Sequence, residues 1–181
     1  MTMMPKFLRN LRSEGEAVGA AAPERAPSVA RRHFLCGGKP LPLRPPWALS
    51  EDRFLEGCSR CRACMDHCPE QLLEADNLGY PQVNYQRGEC TFCGICVDHC
   101  PEEVLRRGPD SLPWERKASI GAACVAGLGT VCRACGEQCE PGAIRFRPRS
   151  GGVVAPTVDP ALCNGCGACF RVCPARAVSI G

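Results

Sequence analysis

Apolar positions along this chain come in clusters of two or three, and no stretch sustains a helical or strand period for long. The clearest alternation sets Ile144 and Phe146 against Arg145 and Arg147. Ser150-Gly151-Gly152 then turns the chain into Val153-Val154, a hairpin pattern. Four segments opening on a proline, "PEQLLEA", "PEEVLRR", "PGAIRF" and "PARAVSI", space their apolar residues as the inner side of a short helix. Near the start, Phe7, Leu8 and Leu11 beside Lys6, Arg9 and Arg12 make one amphipathic turn at most. No apolar stretch approaches the length of a membrane span. The pattern predicts an α+β fold of short strands and short helices, with too little periodic apolar surface for a large core.

Composition explains what replaces that core. The apolar fraction of 45% includes 17 cysteines, and only 6% of the chain is aromatic. A chain this rich in cysteine is held by disulfides or by metals. The odd count argues against a closed disulfide framework, and the spacing argues for metal. Cys163, Cys166, Cys169 and Cys173-Pro174 follow C-x2-C-x2-C-x3-C-P, the bacterial ferredoxin run that binds a [4Fe–4S] cube. The same run recurs at Cys58, Cys61, Cys64 and Cys68-Pro69, and again at Cys90, Cys93, Cys96 and Cys100-Pro101. A variant lies between them: Cys124, then Cys132, Cys135 and Cys139-Glu140-Pro141, with the first spacing stretched to x7. Lengthening a loop costs little, so Cys124 is expected to close on the same site. Four [4Fe–4S] clusters are expected, or three if the variant holds no metal. Gly165 and Gly167, lacking Cβ, are read as letting the backbone approach inorganic sulfide.

Structural zinc uses pairs of C-x2-C units separated by a longer loop, which does not match three thiols at x2 and a fourth at x3 before proline. His67 and His99 occupy matching places in two copies of Asp-His-Cys-Pro-Glu. They read either as donors to a cluster sulfur or as surface residues inherited by duplication. Trp47 and Trp114 each precede a cysteine module and are read as packing residues rather than partner anchors. No phosphate loop, nucleotide motif or nucleophile–base pair is present, so no catalytic residue and no enzyme activity are expected. The formal charge of +3 counts every thiol as neutral. Four cubes with their thiolates would add roughly −8, leaving the loaded protein at about −5 and removing any argument for nucleic-acid binding.

The chain divides by composition. Residues 1–47 hold seven of the 17 prolines and eight Lys/Arg against three Glu, and read as a flexible basic arm. Within it, Arg31-Arg32-His33-Phe34-Leu35 imitates a twin-arginine export signal, but charge and prolines replace the apolar region that must follow. Export is therefore not expected, and reduced thiols point to the cytoplasm. Cys36 has no partner at ligand spacing. Pro81-Gln-Val83-Asn84 and Pro156-Thr-Val158-Asp159 precede the second and last runs, whereas Gly108-Pro109-Asp110 and Pro113 precede the variant. This favours two bacterial-ferredoxin-like modules in tandem, 48–108 and 109–181. Crossed ligation would then place Cys68 on the second cluster and Cys100 on the first, with Cys139 and Cys173 exchanging likewise. Linker lengths leave other pairings open, such as first with fourth.

Taken together, Arg31-Arg32-x-Phe-Leu, Arg44-Pro-Pro-Trp47, "FLEGCSRCRACMDHCP", "GYPQVNYQRGECTFCGICVDHCPE", the variant "IGAACVAG…VCRACGEQCEPGAIRFRP" and "LCNGCGACFRVCP" resemble the NapF ferredoxin-type proteins of periplasmic nitrate reductase systems. The likeness runs from about Arg31 to Val178, and the segment before Arg31 departs from the family pattern. The resemblance implies a cytoplasmic protein that binds the catalytic molybdenum subunit before its export and assists its maturation, including loading of its [4Fe–4S] cluster. From the residues alone, an electron-transfer subunit within a membrane-associated redox complex stands beside that reading.

Overall fold

The computed structural model describes residues 42–109, 111–149 and 151–181. The expectations for Phe7, Leu8 and Leu11, for Arg31-Arg32 and for Cys36 fall outside them. Every element is short, as the apolar pattern requires. In order they are α1 Glu51–Gly57, α2 Ala63–Asp66, β1 Leu73–Ala75, β2 Pro81–Val83, α3 Ile95–Asp98, β3 Ala118–Ile120, α4 Ala134–Glu137, β4 Ile144–Pro148, β5 Val154–Val158, α5 Ala168–Arg171 and β6 Val178–Ile180.

One plan is used twice. In each half a hairpin joins two cysteine runs: β1 pairs antiparallel with β2, Leu73 opposite Val83, and β4 with β5, Ile144 opposite Val158. In each half the chain also enters beside the place where it leaves. In the second half β3 pairs with β6, Ala118 opposite Ile180. In the first half the same closure shrinks to the single bridge Ala48–Leu105, flanked by Leu49 N–H to Val104 C=O at 2.9 Å and Arg106 N–H to Trp47 C=O at 2.9 Å. α2 packs on α3, and α4 on α5. Each of these single-turn helices carries the third cysteine of its run, Cys64, Cys96, Cys135 or Cys169, and buries it. The first core gathers Phe54, Leu72, Val104 and Leu105, and the second Ala143, Ile144 and Val178, both around cysteines rather than around long apolar faces.

Two expectations change. The post-proline segments do not begin helices: each is a tight turn leading toward a strand or bridge. The amide three residues beyond the last cysteine returns to that cysteine's carbonyl, from Gln71 to Cys68 at 3.0 Å, Glu103 to Cys100 at 3.3 Å, Gly142 to Cys139 at 3.0 Å and Arg176 to Cys173 at 3.2 Å. All four of those residues are left-handed, with φ of 49°, 51°, 63° and 48°. Proline fits the first corner of such a turn in three copies, Pro141 of the variant stands one place later, and the left-handed residue then stops any helix. The second change concerns the arm. Leu43 packs against the first core, and Arg44, Pro45, Pro46 and Trp47 are buried. Trp47 Nε1 donates to Ser111 C=O at 3.3 Å, and its backbone N–H to Pro113 C=O at 2.7 Å.

Candidate metal centres

Sixteen cysteines lie among the described residues, all without a disulfide partner. They line four separate cavities of similar size, about 320 to 380 Å³ counting space open to solvent. Cys58, Cys61 and Cys64 share a cavity with Cys100. Cys90, Cys93 and Cys96 share one with Cys68. Cys163, Cys166 and Cys169 meet Cys139, and Cys124, Cys132 and Cys135 meet Cys173. In every set three thiols come from one run and the fourth from the run it is paired with. Each last cysteine follows the single-turn helix of its run and opens the tight turn described above, and there it lines the cavity of the paired run.

The variant set closes although its first loop is long. Residues between Cys124 and Cys132 fold into successive turns, with Leu128 N–H on Cys124 C=O at 3.2 Å and Thr130 N–H on Val125 C=O at 3.0 Å. These turns return the chain to the cavity and leave Leu128 and Val131 exposed.

The regular loops are shaped by left-handed residues at two fixed places. Arg60, Phe92 and Gly165 stand two residues after the first cysteine, with φ of 58°, 53° and 74°. Arg62, Gly94 and Gly167 stand four after it, at 70°, 83° and 89°. Since Arg and Phe serve at these places, the cluster loop itself demands the backbone conformation rather than a missing Cβ. Gly165 and Gly167 have another reason to be glycine. A Cβ on Gly165 would lie 2.5 Å from Arg116 C=O, and one on Gly167 would lie 2.0 Å from the Tyr85 ring.

The lining fits a polynuclear iron–sulfur group. Apart from the thiols, the cavity at Cys124 is walled by residues such as Ile120, Val125, Ala126, Pro156 and Val178. Backbone amides reach sulfur where they can stabilise a thiolate: Ala118 N–H to Cys163 Sγ at 3.4 Å and Ala177 N–H to Cys173 Sγ at 3.2 Å. The Arg60, Phe92 and Ala168 amides act in the same sense on Cys58, Cys90 and Cys166. Burial outweighs them in the metal-free thiols. It pushes Cys64, Cys90, Cys96 and Cys169 up to about 12, with neighbouring cysteines of the same and of the adjoining site adding to the rise. Among the described residues, no three His, Cys, Asp or Glu close on a single ion. Zinc requires four thiolates within about 2.3 Å of one point. Four thiols line each cavity, the number of thiolates that a [4Fe–4S] cube takes.

His67 and His99 stack on each other, with ring centres 3.9 Å apart and planes at 24°. Their Nδ1 atoms lie 2.9 and 3.1 Å from Ala63 C=O and Ile95 C=O, so each is engaged with its own helix turn. Both hydrogen bonds are solvent-exposed, and His99 reaches the rim of the first cavity.

Sequence reasoning passed over two residues. Arg44 was legible only as part of a motif, yet it is 8% exposed. Its guanidinium holds Glu51 at 2.8 Å and Asp76 at 3.0 Å, donates to Pro81 C=O at 3.2 Å and covers the Phe54 and Tyr80 rings. Tyr85 carried no local signal at all. It donates to Gly165 C=O at 2.8 Å from the other half of the chain.

Comparison with known proteins agrees with this architecture. Two models of the 4Fe-4S dicluster domain match, one over residues 57–105 and the other over 130–177. The ferredoxin-type protein NapF of Escherichia coli K12 is 42% identical over 144 residues, covering 76% of this chain and 83% of that protein. NapF of Haemophilus influenzae is 41% identical, covering 76% and 78%. The methylamine utilization ferredoxin-type protein MauM of Methylorubrum extorquens is 34% identical over 149 residues, 72% of this chain and 67% of that protein. These relatives are all ferredoxin-type proteins. With two tandem dicluster domains and this degree of identity, the chain belongs to the NapF family of ferredoxin-type iron–sulfur proteins.

Proposed function

We propose that the chain is a cytoplasmic accessory protein carrying four [4Fe–4S] clusters, which binds the catalytic molybdenum subunit of periplasmic nitrate reductase before export and assists its maturation. Its two modules would be 48–108 and 109–181, with residues 42–47 joined to the first by Trp47 and Arg44. The ligand sets would be Cys58, Cys61, Cys64 and Cys100; Cys90, Cys93, Cys96 and Cys68; Cys163, Cys166, Cys169 and Cys139; and Cys124, Cys132, Cys135 and Cys173. Each cube would accept one electron at a time. The observation that carries the cluster assignment is the grouping of sixteen thiols into four cavities of four.

The maturation reading draws on the family and on where the surface is apolar. Leu128 and Val131, 72% and 95% exposed, sit on the long turn that distinguishes the variant set. Beside them lies a groove lined by Thr130, Arg133, Phe146, Val153 and Val154. An apolar patch next to a cluster cavity suits a protein partner. Pull-down of the catalytic subunit from cytoplasm, with its signal peptide intact, is the test. Binding of the precursor and of its cluster-free form is expected, and binding of the mature periplasmic enzyme alone overturns the reading. An electron-relay role within a redox complex is the second reading. It is favoured by the contact between cavities across the two halves, where Cys90 N–H meets Cys166 C=O.

A further inference from the structure

The two halves touch at one pair of cavities. The Cys90 backbone N–H donates to the Cys166 C=O at 2.8 Å. Cys90 lines the cavity shared with Cys68, and Cys166 the one shared with Cys139. Both ends of this hydrogen bond therefore belong to residues that present a thiol to a cavity. From one Sγ to the other the route runs through Cβ, Cα and N of Cys90, the hydrogen bond, then C, Cα and Cβ of Cys166. It contains no gap through space. Electron tunnelling falls off exponentially with distance and far more steeply through a gap than through bonds, so this is a favoured path.

The surrounding contacts serve to hold that path closed. Tyr85, buried in the first core, donates to Gly165 C=O at 2.8 Å. Its ring lies where any side chain on Gly167 would have to go. Trp114 Nε1 donates to Asn164 C=O at 2.9 Å, and Arg171 Nη1 to Arg87 C=O at 3.2 Å. Tyr85 also packs against Phe170 and Trp114, with ring centres 5.9 and 6.4 Å apart. Three carbonyls of one cluster loop, at residues 164, 165 and 166, are thus held by the other half or by the linker. Among the described residues, no comparable hydrogen bond joins the cavity at Cys58 or that at Cys124 to the opposite half.

We infer that the two modules form one electron conduit, with the Cys90–Cys166 hydrogen bond as its junction and Tyr85 as the residue that positions it. The order of sites is the Cys58 set, the Cys90 set, the Cys163 set and the Cys124 set, the middle pair adjoining across the junction. The step at the junction moves one electron from the reduced to the oxidised side, with no proton transferred and no bond made or broken. The two outer sites are left as entry and exit, one of them beside exposed Leu128 and Val131. The inference rests on the four-cluster reading above and is independent of which partner is bound.

The test uses the full chain, purified without oxygen and carrying its full iron, in wild-type, Gly167→Ala and Tyr85→Ala forms. Electron paramagnetic resonance of the fully reduced protein reads magnetic coupling between sites, and hydrogen exchange of the Cys90 amide reads the junction. In wild type the coupling is expected to extend beyond two separate pairs. In Gly167→Ala the wedge against the Tyr85 ring is expected to speed Cys90 exchange about tenfold. The coupling between modules should then be lost and that within each module kept. Tyr85 lies outside every cysteine run, so Tyr85→Ala leaves the sequence of the cluster loop unchanged and gives the answer even where Gly167→Ala sheds iron. The inference is overturned if wild type behaves as two independent pairs, or if either variant frees the Cys90 amide without changing the coupling. A wild-type iron content well below about 16 per chain would instead count against the four-cluster reading.

Discussion

Arg44 satisfies two carboxylates, a backbone carbonyl and two aromatic faces from a buried position. Removing it strands Glu51 and Asp76 against an apolar core, which is the costly way to break an ion pair. Glu51 is 19% exposed, so water recovers part of that loss. Arg44→Met is therefore expected to lower stability by about 2–3 kcal/mol, read as an earlier loss of cluster absorbance on a urea ramp. Arg44→Lys should fall close to Arg44→Met, because an ammonium cannot fork between Glu51 and Asp76 while lying flat on Phe54. A lysine variant as stable as wild type would show that charge alone suffices. Nothing in composition or periodicity separates Arg44 from the arginines before it. Its role depends on Asp76 and Pro81, which only the fold brings near.

At the level of elements, spacing made the cysteine loops legible and the segments after them misleading. "PEQLLEA" and "PARAVSI" have helical apolar spacing, but the backbone three residues past each last cysteine is left-handed, a constraint spacing does not encode. Three copies bear that conformation with Gln71, Glu103 and Arg176, and the variant copy uses Gly142. A Cβ on Gly142 would meet nothing within 4 Å, so substitution there isolates the backbone cost from packing. Gly142→Ala is expected to destabilise by about 1 kcal/mol with iron content unchanged, measured by thermal melting. A larger loss, or loss of iron, would mean that the turn sets the position of Cys139 rather than merely following it. The long turn from Cys124 to Cys132 gives a second test. Cys124→Ala should remove about four irons per chain and leave the other three sites loaded, since none of the four thiols at its cavity lines another. Unchanged iron would leave the variant set without Cys124 as a ligand.

For the molecule as a whole, the pairing of runs was open in sequence because linker lengths barely differ. In the fold, hairpins join first run to second and third to fourth, and each last cysteine lines the cavity of the run so joined. The contact between modules was not legible, because Tyr85 and Gly165 lie 80 residues apart and neither belongs to a recognisable interface pattern.

The two halves share one dependence on acidity, and its sign can be worked out from burial. Cys64, Cys90, Cys96 and Cys169, pushed up to about 12 from an ordinary thiol value of 9.0, hold their protons at neutral pH when no metal is bound. Their raised values favour the metal-free fold below pH 9, a contribution lost as pH climbs toward 12. Loading runs the other way. Iron takes the thiolate, so each cube formed releases about four protons, and lower pH opposes it by mass action. Anaerobic reconstitution in weak buffer should therefore acidify the solution, and iron retained against a fixed chelator should fall steadily as pH drops through neutrality. Retention independent of pH would imply that the thiols are already ionised before metal arrives. That would require the amides of Arg60, Phe92 and Ala168 to outweigh burial, contrary to the balance at Cys58, Cys90 and Cys166. Because the small cores are assembled around the thiols, the same chelation should unfold both modules. Far-ultraviolet circular dichroism would then fall in step with iron, with no folded metal-free plateau between.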